Sequence, residues 1–316
     1  MRDVQWPVCN PFPPPEAVMR VLVGGGTGFV GRTLTSLLKS NGHEVTIISR
    51  NPGPGRITWQ ELPSKGLPPC DAAVNLAGEN IMNPLRRWTE EFKKEVTNSR
   101  VDTTQILARA IARAEKPPEA WVLVTGVSFY APSETVEYDE DSAGGNYDFA
   151  SRLVTAMEAA ARIPGDSAAA GVTRGVMVRA GFVLGRDGGA IPSMLLPFRL
   201  GLGGPIGSGC QNLPWIHVAD LAGIIAHVLE SKNVTGVLNG VAPSFNTNRD
   251  FARALGAALR RPTILPLPAF MVNAIFGSER GVMLLEGAKV RPRRTLESGY
   301  RYAFPELGPA LRDILS

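Results

Sequence analysis

Short apolar runs alternate with longer amphipathic stretches over the first two thirds of the chain, in the order typical of an α/β protein. Residues 19–24 form an apolar run that breaks into glycines, and leucines at helical spacing (Leu34, Leu37 and Leu38) follow. Residues 43–49 come after an Asn-Gly turn and complete a βαβ unit. Further strands are predicted at residues 71–76, 121–125 and 173–179, and helices at residues 88–114 and 151–162. The expected fold class is α/β, with a Rossmann-type doubly wound parallel sheet.

The pattern changes beyond Gly181, where glycine-rich loops (GRDGGA and GLGGPIGSG) replace the regular alternation. A strand at residues 215–216, a helix at residues 218–229 and a strand at residues 237–239 come next. Helices separated by prolines then follow, with room for one short strand at residues 264–267. We expect a tail at residues 1–18, a Rossmann domain at residues 19–183 and a smaller, mainly helical C-terminal lobe at residues 184–316, from which residues 214–240 return to the Rossmann domain.

The composition excludes several classes of protein. The 316 residues are 44% hydrophobic with a mean hydropathy of +0.01, which is enough apolar material for a sizeable core. The net charge is +4 and the only dense basic cluster is R-P-R-R at residues 291–294, so nucleic acid is not an expected partner. Cys9, Cys70 and Cys210 lie far apart and form neither a disulfide framework nor, with the three histidines, a metal site. We expect an intracellular, reducing compartment such as the cytoplasm, and no membrane, because no run is long enough to span one.

The segment Gly25-Gly26-Thr27-Gly28-Phe29-Val30-Gly31 places glycines at a G-x-x-G-x-x-G spacing between a strand and a helix. Glycines at Gly25 and Gly28 let the backbone turn sharply and let a pyrophosphate approach the N-terminus of the helix, where N–H groups and the dipole favour negative charge. Gly31 lets the helix lie close to the strand. The alternative is a tight loop that needs glycine only for its dihedral angles. The surrounding strand, helix and second strand favour a dinucleotide site.

The end of the second strand is where a dinucleotide fold contacts the adenosine ribose. Ser49 and Arg50 stand there, whereas an acidic residue would be expected for NAD. A guanidinium binds a 2′-phosphate with charge-assisted hydrogen bonds, and a serine hydroxyl adds another donor. The pair therefore predicts NADP as the cofactor. The alternative is an exposed arginine that merely follows a strand.

Several motifs carry a resemblance to a known family. GGTGFVG, NLAGE at residues 75–79 and PWIHVADLAG at residues 214–223 resemble the extended, epimerase-like branch of the short-chain dehydrogenase/reductase superfamily. RRW at residues 86–88, SR at residues 99–100 and LLEGAKVRPRRTLESGY at residues 284–300 are similar to an atypical group, the epimerase family proteins. The resemblance implies an NADP-bound Rossmann domain, an oxidoreductase activity and a small lobe that closes over a cleft. It also implies further cofactor contacts at Leu76, Ala77, Glu95, Arg100 and Val183.

Three of these contacts have ordinary alternatives. Arg100 and Glu95 can equally be solvated charges on a helix face, and Val183 can equally be a core residue. Leu76 and Ala77 have a physical argument of their own, because they follow a parallel strand at its carboxyl end, the usual ligand side of an open sheet.

The catalytic residues are not evident from the sequence. The superfamily uses a serine or threonine hydroxyl and a tyrosine whose pKa is lowered by a lysine four residues later. Alignment puts Gly126 at the hydroxyl position, with Ser128 and Thr125 as nearby substitutes, and it puts Ser151 and Thr155 at the tyrosine and lysine positions. Tyr130 and Tyr147 are interpreted as packing or pocket-wall aromatics.

Other polar residues keep two interpretations. His217 is either a general acid or, with Asp220, a structural residue before a helix, while Arg179 and Arg199 either hold an anionic substrate or pair with a carboxylate. The predicted function is that of an NADP-dependent oxidoreductase acting on an unknown small molecule, as a monomer or weak homodimer. The alternative is a non-catalytic NADP(H) sensor or scaffold. Epimerisation of a nucleotide sugar is disfavoured, because it relies on the same absent tyrosine and lysine.

Overall fold

The structure is a computed structural model that describes residues 17–83 and 85–316. The expected tail at residues 1–18 falls almost entirely outside the described residues. The strands, in chain order, are β1 (Arg20–Gly24), β2 (Glu44–Ser49), β3 (Arg56–Thr58), β4 (Ala72–Asn75), β5 (Ala120–Gly126), β6 (Glu137–Tyr138), β7 (Arg174–Ala180), β8 (Phe182–Gly185), β9 (Gly188–Gly189), β10 (Trp215–His217), β11 (Gly236–Gly240) and β12 (Lys289–Val290).

The helices are α1 (Phe29–Ser40), α2 (Glu61–Lys65), α3 (Glu90–Ala112), α4 (Phe149–Ala160), α5 (Ile191–Arg199), α6 (Val218–Glu230), α7 (Asn248–Leu259), α8 (Ala269–Phe276), α9 (Ser278–Leu285), α10 (Arg293–Glu297) and α11 (Leu307–Leu315). One turn of 3₁₀-helix at Val127–Phe129 follows β5. Among the described residues, no helix combines the length and apolar character needed to cross a membrane.

Seven parallel strands form the central sheet, in the order β11-β7-β5-β4-β1-β2-β3. Alternate residues of β1 face opposite sides, as strand geometry requires. Val21 and Val23 join the core formed with α1 and α6, whereas Leu22 joins the core formed with α3 and α4. Helices therefore cover both faces of the sheet, which confirms the predicted doubly wound α/β fold.

The C-terminal part of the chain builds a second core. Strands β10, β8 and β9 form a small sheet, and α5, α7 and α11 bury Phe198, Phe251 and Leu311 against it. The chain also returns to the central sheet, because β11 pairs with β7 and α6 packs against α1. The lobe that remains outside the sheet is mainly helical.

The predicted strands and helices of the first 240 residues are confirmed to within a few residues at their ends. The pattern missed the short elements β3, α2 and β6, and it missed β8, β9 and α5, which lie where only glycine-rich loops were expected. It was wrong at residues 264–267, where the chain is irregular and only Leu267 makes a single bridge, to Ile206. Pro266 and Pro268 flank that residue, and proline has no N–H to donate to a strand.

Candidate cofactor and substrate cleft

A cleft with a volume of about 510 Å³ opens at the carboxyl ends of the central strands. It is lined by the loops after β1, β4, β5 and β7 and by residues of α4 and α9. The order of strands along the chain reverses between β1 and β4, and open α/β sheets bind ligands at such a switch point. We define its cofactor end as Gly25, Gly28, Gly31, Leu76, Ala77 and Arg100, and its far end as Val127, Ser128, Tyr147, Val282, Met283 and Glu286.

Two glycines of the predicted loop are required by close contacts. Gly25 turns the chain directly after β1 with a φ of +73°, and a Cβ there would lie 2.8 Å from the backbone nitrogen of Ala77. A Cβ at Gly31, in the first turn of α1, would collide with the carbonyl oxygen of Gly25. Because no larger residue fits either place, the loop forms a backbone cradle beside β4.

The N-terminus of α1 faces this cradle. Its N-cap residue is Gly28, which offers no side chain to the first-turn N–H groups, and the first turn carries no acidic residue. Such an N-terminus attracts an anion through its N–H groups and the helix dipole. The residues of the loop that line the cleft are Gly25, Gly28, Phe29, Val30 and Gly31. Thr27 is exposed outside this lining, where its carbonyl oxygen accepts from Arg32 Nη1 at 3.0 Å.

Ser49 and Arg50 end β2 next to the cofactor end without lining the cleft. The Ser49 hydroxyl is buried, donating to the Asn51 carbonyl oxygen at 2.5 Å and accepting from the Asn51 backbone nitrogen. The Arg50 side chain is 83% exposed, and its Nη1 lies 3.2 Å from Glu79 Oε2. An ion pair this exposed stabilises the fold little, so the guanidinium is free to exchange the carboxylate for a phosphate.

Arg100 is the one charged residue of the described chain that lines the cofactor end. It projects from α3 onto Gly78, its Nη1 donates to the Val96 carbonyl oxygen at 3.3 Å, and no carboxylate is within ion-pair distance among the residues described. Burial lowers the pKa of Arg100 to about 10, and the nearby Glu79 carboxylate offsets only part of this shift. A guanidinium in a cleft without a directly bonded carboxylate is suited to an anionic ligand.

The other residues implied by the resemblance fall into two groups. Leu76, Ala77 and Val183 line the cleft, the first two directly after β4 and the third on β8. Glu95 does not line the cleft: its Oε2 accepts from Arg86 Nη2 at 2.5 Å at the surface. Glu95 and Arg100 are five positions apart on one helix and so point about 140° apart. As a cofactor contact Glu95 stays a prediction.

The positions aligned with the family's tyrosine and lysine have structural roles here. The Ser151 hydroxyl closes a capping box with Asp148 at the start of α4. The Thr155 hydroxyl donates to the Gly145 carbonyl oxygen at 2.8 Å. Neither side chain lines the cleft, so neither replaces a proton-transferring tyrosine or its lysine.

Ser128 stands close to the place that Gly126 leaves empty. A Cβ built on Gly126 would lie 3.3 Å from Ser128 Oγ, and both residues line the cleft. Within the described residues, Ser128 Oγ has no hydrogen-bond partner. The 3₁₀ turn after β5 thus presents a free hydroxyl at the far end.

Tyr130 and Arg179 belong to a buried network beneath the far end. Arg179 donates from Nε and Nη2 to the two carboxylate oxygens of Glu158, both at 2.8 Å, and from Nη1 to the Tyr130 hydroxyl. Tyr130 donates in turn to Asn239 Oδ1 at 2.9 Å, and burial raises its pKa. Arg179 therefore pairs with a carboxylate, and Tyr130 is a packing residue that closes the cleft floor. Arg199 is exposed on α5, outside the lining of the cleft.

The far end also contains residues that the sequence analysis did not assign. Val282 and Met283 of α9 form an apolar wall, and Glu286 follows this helix. Tyr147 donates from its hydroxyl to Glu286 Oε2 at 2.8 Å, and this bond raises the pKa of Tyr147. Glu286 belongs to the motif LLEGAKVRPRRTLESGY, which carries the family resemblance. No sequence spacing connects Glu286 with Tyr147, so their contact could not be predicted.

A buried arginine holds α9 to the cofactor end. Arg280 donates from Nη1 to the carbonyl oxygens of Ile81 and Asn83 and from Nη2 to that of Arg86. Ile81 lines the cleft, so Arg280 connects the loop after β4 with the helix that contributes to the far end.

His217 and Asp220 are structural. The Nδ1 of His217 accepts from the Ala219 backbone nitrogen and caps α6, and the ring lies 4.1 Å from that of Phe304. Asp220 accepts from the Tyr300 hydroxyl and from the backbone nitrogens of residues 303 and 304. Neither residue lines the cleft, so a general-acid role for His217 has no geometric support.

The cofactor end as a whole fits a dinucleotide. The backbone cradle and the α1 N-terminus suit a pyrophosphate, Arg100 supplies positive charge that no ion pair engages among the described residues, and Arg50 directly follows β2 with its guanidinium exposed. These are features of the residues present, and none of them requires a metal.

Comparison with known proteins agrees with this fold. The sequence profile of the NAD dependent epimerase/dehydratase family matches residues 21–239, and that of a domain of unknown function, DUF1731, matches residues 267–314. The chain is 69% identical over 299 residues to epimerase family protein SDR39U1 of Bos taurus, covering 94% of this chain and 100% of that protein. It is 33% identical over 310 residues to epimerase family protein YfhF of Bacillus subtilis, covering 94% and 98%.

One solved structure is also very similar to this chain in both sequence and fold. The crystal structure of human epimerase family protein SDR39U1 (isoform2) with NADPH has a TM-score of 0.91 and 66% sequence identity, covering 94% of this chain and 99% of that chain. The resemblance to the epimerase-like branch is confirmed. The chain belongs to the NAD dependent epimerase/dehydratase family.

Proposed function

We propose that this chain is an NADP(H)-dependent oxidoreductase that acts on a small molecule in the cleft. The observation that carries the proposal is the backbone cradle at the β1/β4 switch point, with Arg100, which makes no ion pair with a described residue, beside it. The human relative of 66% identity was crystallised with NADPH, which supports the same cofactor here.

The residues divide the work by position. Gly25, Gly28 and the α1 N-terminus hold the pyrophosphate, Arg100 approaches the same anionic part, and Arg50 leaves Glu79 to bind the 2′-phosphate. Val183 packs against the nicotinamide end. The chemistry supplied by a bound NADPH is a hydride from its nicotinamide ring.

A carbonyl reduced in this way also needs a proton and a hydrogen bond to its oxygen. Ser128 is the candidate for that hydrogen bond, because its Oγ is free and faces the cleft beside Gly126. Tyr147 is the second hydroxyl of the far end, but its raised pKa makes it a weaker acid than an ordinary tyrosine, and it already donates to Glu286. The residues available therefore supply a hydrogen bond to the carbonyl oxygen, and the proton is taken from water.

Substitution of Arg50 tests the cofactor part of the proposal. We expect Arg50→Ala to weaken NADPH binding about tenfold to hundredfold and to leave NADH binding unchanged, because only NADPH carries the 2′-phosphate. Calorimetric titration of both cofactors measures this, with Arg109→Ala, an exposed position on the outer part of α3, as the control. An equal loss of affinity for NADPH and NADH would show that Arg50 does not bind the 2′-phosphate.

A non-catalytic NADP(H) sensor is the second candidate, favoured by the use of Ser151 and Thr155 in capping and loop contacts. Following the absorbance of NADPH across a panel of carbonyl compounds separates the two. An enzyme oxidises NADPH with at least one compound, and Ser128→Ala slows it about a hundredfold or more while the exposed Ser64→Ala does not. Turnover with no compound, together with tight NADPH binding, would favour the sensor.

A further inference from the structure

The far end of the cleft differs in charge from the cofactor end. Among the described residues, the charged side chains that line the cleft are Arg100, Asp148 and Glu286. Arg100 belongs to the cofactor end, so both charged residues of the remaining part are carboxylates. Val282 and Met283 form an apolar wall beside them.

Of the cations on elements around the far end, Arg179 and Lys93 pair with carboxylates, and Arg280 donates to backbone carbonyl oxygens. Arg179 is neutralised by two hydrogen bonds to Glu158, and it lies behind the Tyr130 ring. Lys93 pairs with Glu279 at 2.5 Å, and Arg152 also lies close enough to lower the pKa of that carboxyl group. None of these cations lines the cleft.

The backbone offers no replacement for a cation at this end. The N-terminus of α4 points towards the cleft, but Asp148 accepts from the Ser151 backbone nitrogen at 2.8 Å and caps it. Asp148 is thus committed to the helix. Glu286 is the carboxylate that remains for a ligand, since Tyr147 contacts only its Oε2.

We infer that the far end takes a molecule with an apolar body and a hydrogen-bond-donating head, an ammonium or a hydroxyl, that binds Glu286 beside Tyr147. This inference rests on the proposed function, because the cofactor fills the other end of the cleft. Phosphates and carboxylates are repelled by Glu286 and find neither a guanidinium nor an open helix N-terminus there. Anionic groups, those of nucleoside diphosphates included, are therefore expected to bind this end more weakly than ammonium or hydroxyl groups.

Three probes with one apolar body and different heads test the inference: phenylpropylamine, phenylpropanol and phenylpropanoate. Their affinities for the NADPH-saturated protein are measured by ligand-observed NMR titration. We expect the amine to bind about tenfold more tightly than the carboxylate, with the alcohol between them, because attraction and repulsion at a partly exposed carboxylate each change affinity up to about fivefold.

Variants of Glu286 assign the effect to this side chain. Glu286→Gln brings amine and carboxylate to similar affinities, and Glu286→Lys reverses their order, whereas Glu115→Gln, far from the cleft in an exposed turn, behaves as the wild type. Melting temperatures and NADPH titration of each variant establish that it is folded and holds the cofactor. If the wild-type protein does not bind NADPH, the proposed function itself is wrong, whatever the three probes show.

The inference is overturned if phenylpropanoate binds the wild type as tightly as phenylpropylamine. It is equally overturned if neither the amine nor the alcohol binds, or if Glu286→Gln keeps the wild-type order of affinities. Tyr147→Phe separates the two neighbours: the preference for the amine is expected to remain, because Glu286 keeps its charge when the phenol is removed.

Discussion

The two ends of the cleft are built from opposite charges and from different parts of the chain. At the cofactor end, a backbone cradle, a helix N-terminus and Arg100 present positive potential, and no carboxylate pairs with that arginine among the described residues. At the far end, Arg179 is fully paired below the floor and Glu286 faces the opening. The difference teaches that Arg100, which has no ion pair among the described residues, is available to a ligand, whereas Arg179, which Glu158 engages, is not.

The largest effect is expected for Arg179, whose pairing defines one side of this comparison. Arg179→Met leaves Glu158 without its partner in a half-buried position, so the free energy of unfolding should fall by about 3–5 kcal/mol. Chemical denaturation measures the change. The double variant Arg179→Met with Glu158→Met should regain most of the loss, because no unpaired charge remains. A single variant as stable as the wild type would contradict the pairing.

The next effect concerns the cradle. Gly25→Ala should weaken NADPH binding about hundredfold, because the new Cβ meets the Ala77 backbone and the turn has a positive φ. Gly42→Ala is the matched control: its φ is +86°, but no atom lies within 4 Å of the added Cβ. Both variants carry the same backbone strain, so a similar loss of affinity in both would show that the close approach at Gly25 is irrelevant.

A smaller effect is expected for Arg100. Arg100→Met should weaken NADPH and NADH about tenfold each, because the guanidinium faces the anionic part that both cofactors share. The same variant should be as stable as the wild type or slightly more stable, since a desolvated, unpaired charge is removed. Titration and thermal melting of one preparation measure both. A loss of stability without a loss of affinity would make Arg100 a structural residue.

The sequence predicted the cofactor end because its signals are local. The apolar run of β1, the glycines at positions 25, 28 and 31 and the leucines of α1 follow one another within about one supersecondary unit. The same local reading missed β3, a strand of only three residues at the sheet edge. It also placed a strand at residues 264–267, where an apolar run lies exposed between prolines and Ile264 is 78% exposed.

The far end could not be predicted in this way. Glu286 and Tyr147 are 139 positions apart, and they meet only because the fold brings the C-terminal end of α9 next to the segment before α4. The sequence allowed two roles for Arg179, a substrate contact or an ion pair. Only the position of Glu158 on α4 shows that Arg179 forms the ion pair. Ser128 is close to Gly126 in sequence, but it is the 3₁₀ turn that brings the Ser128 Oγ next to the position where a Gly126 side chain would lie.

Titration of the wild-type chain with NADPH and with NADH, at low and at raised salt, tests the central claim most directly. The account predicts that NADPH binds about tenfold or more tightly than NADH at low salt, and that salt narrows the gap because the added contact at Arg50 is ionic and exposed. Equal affinities for the two cofactors at every salt concentration would contradict it.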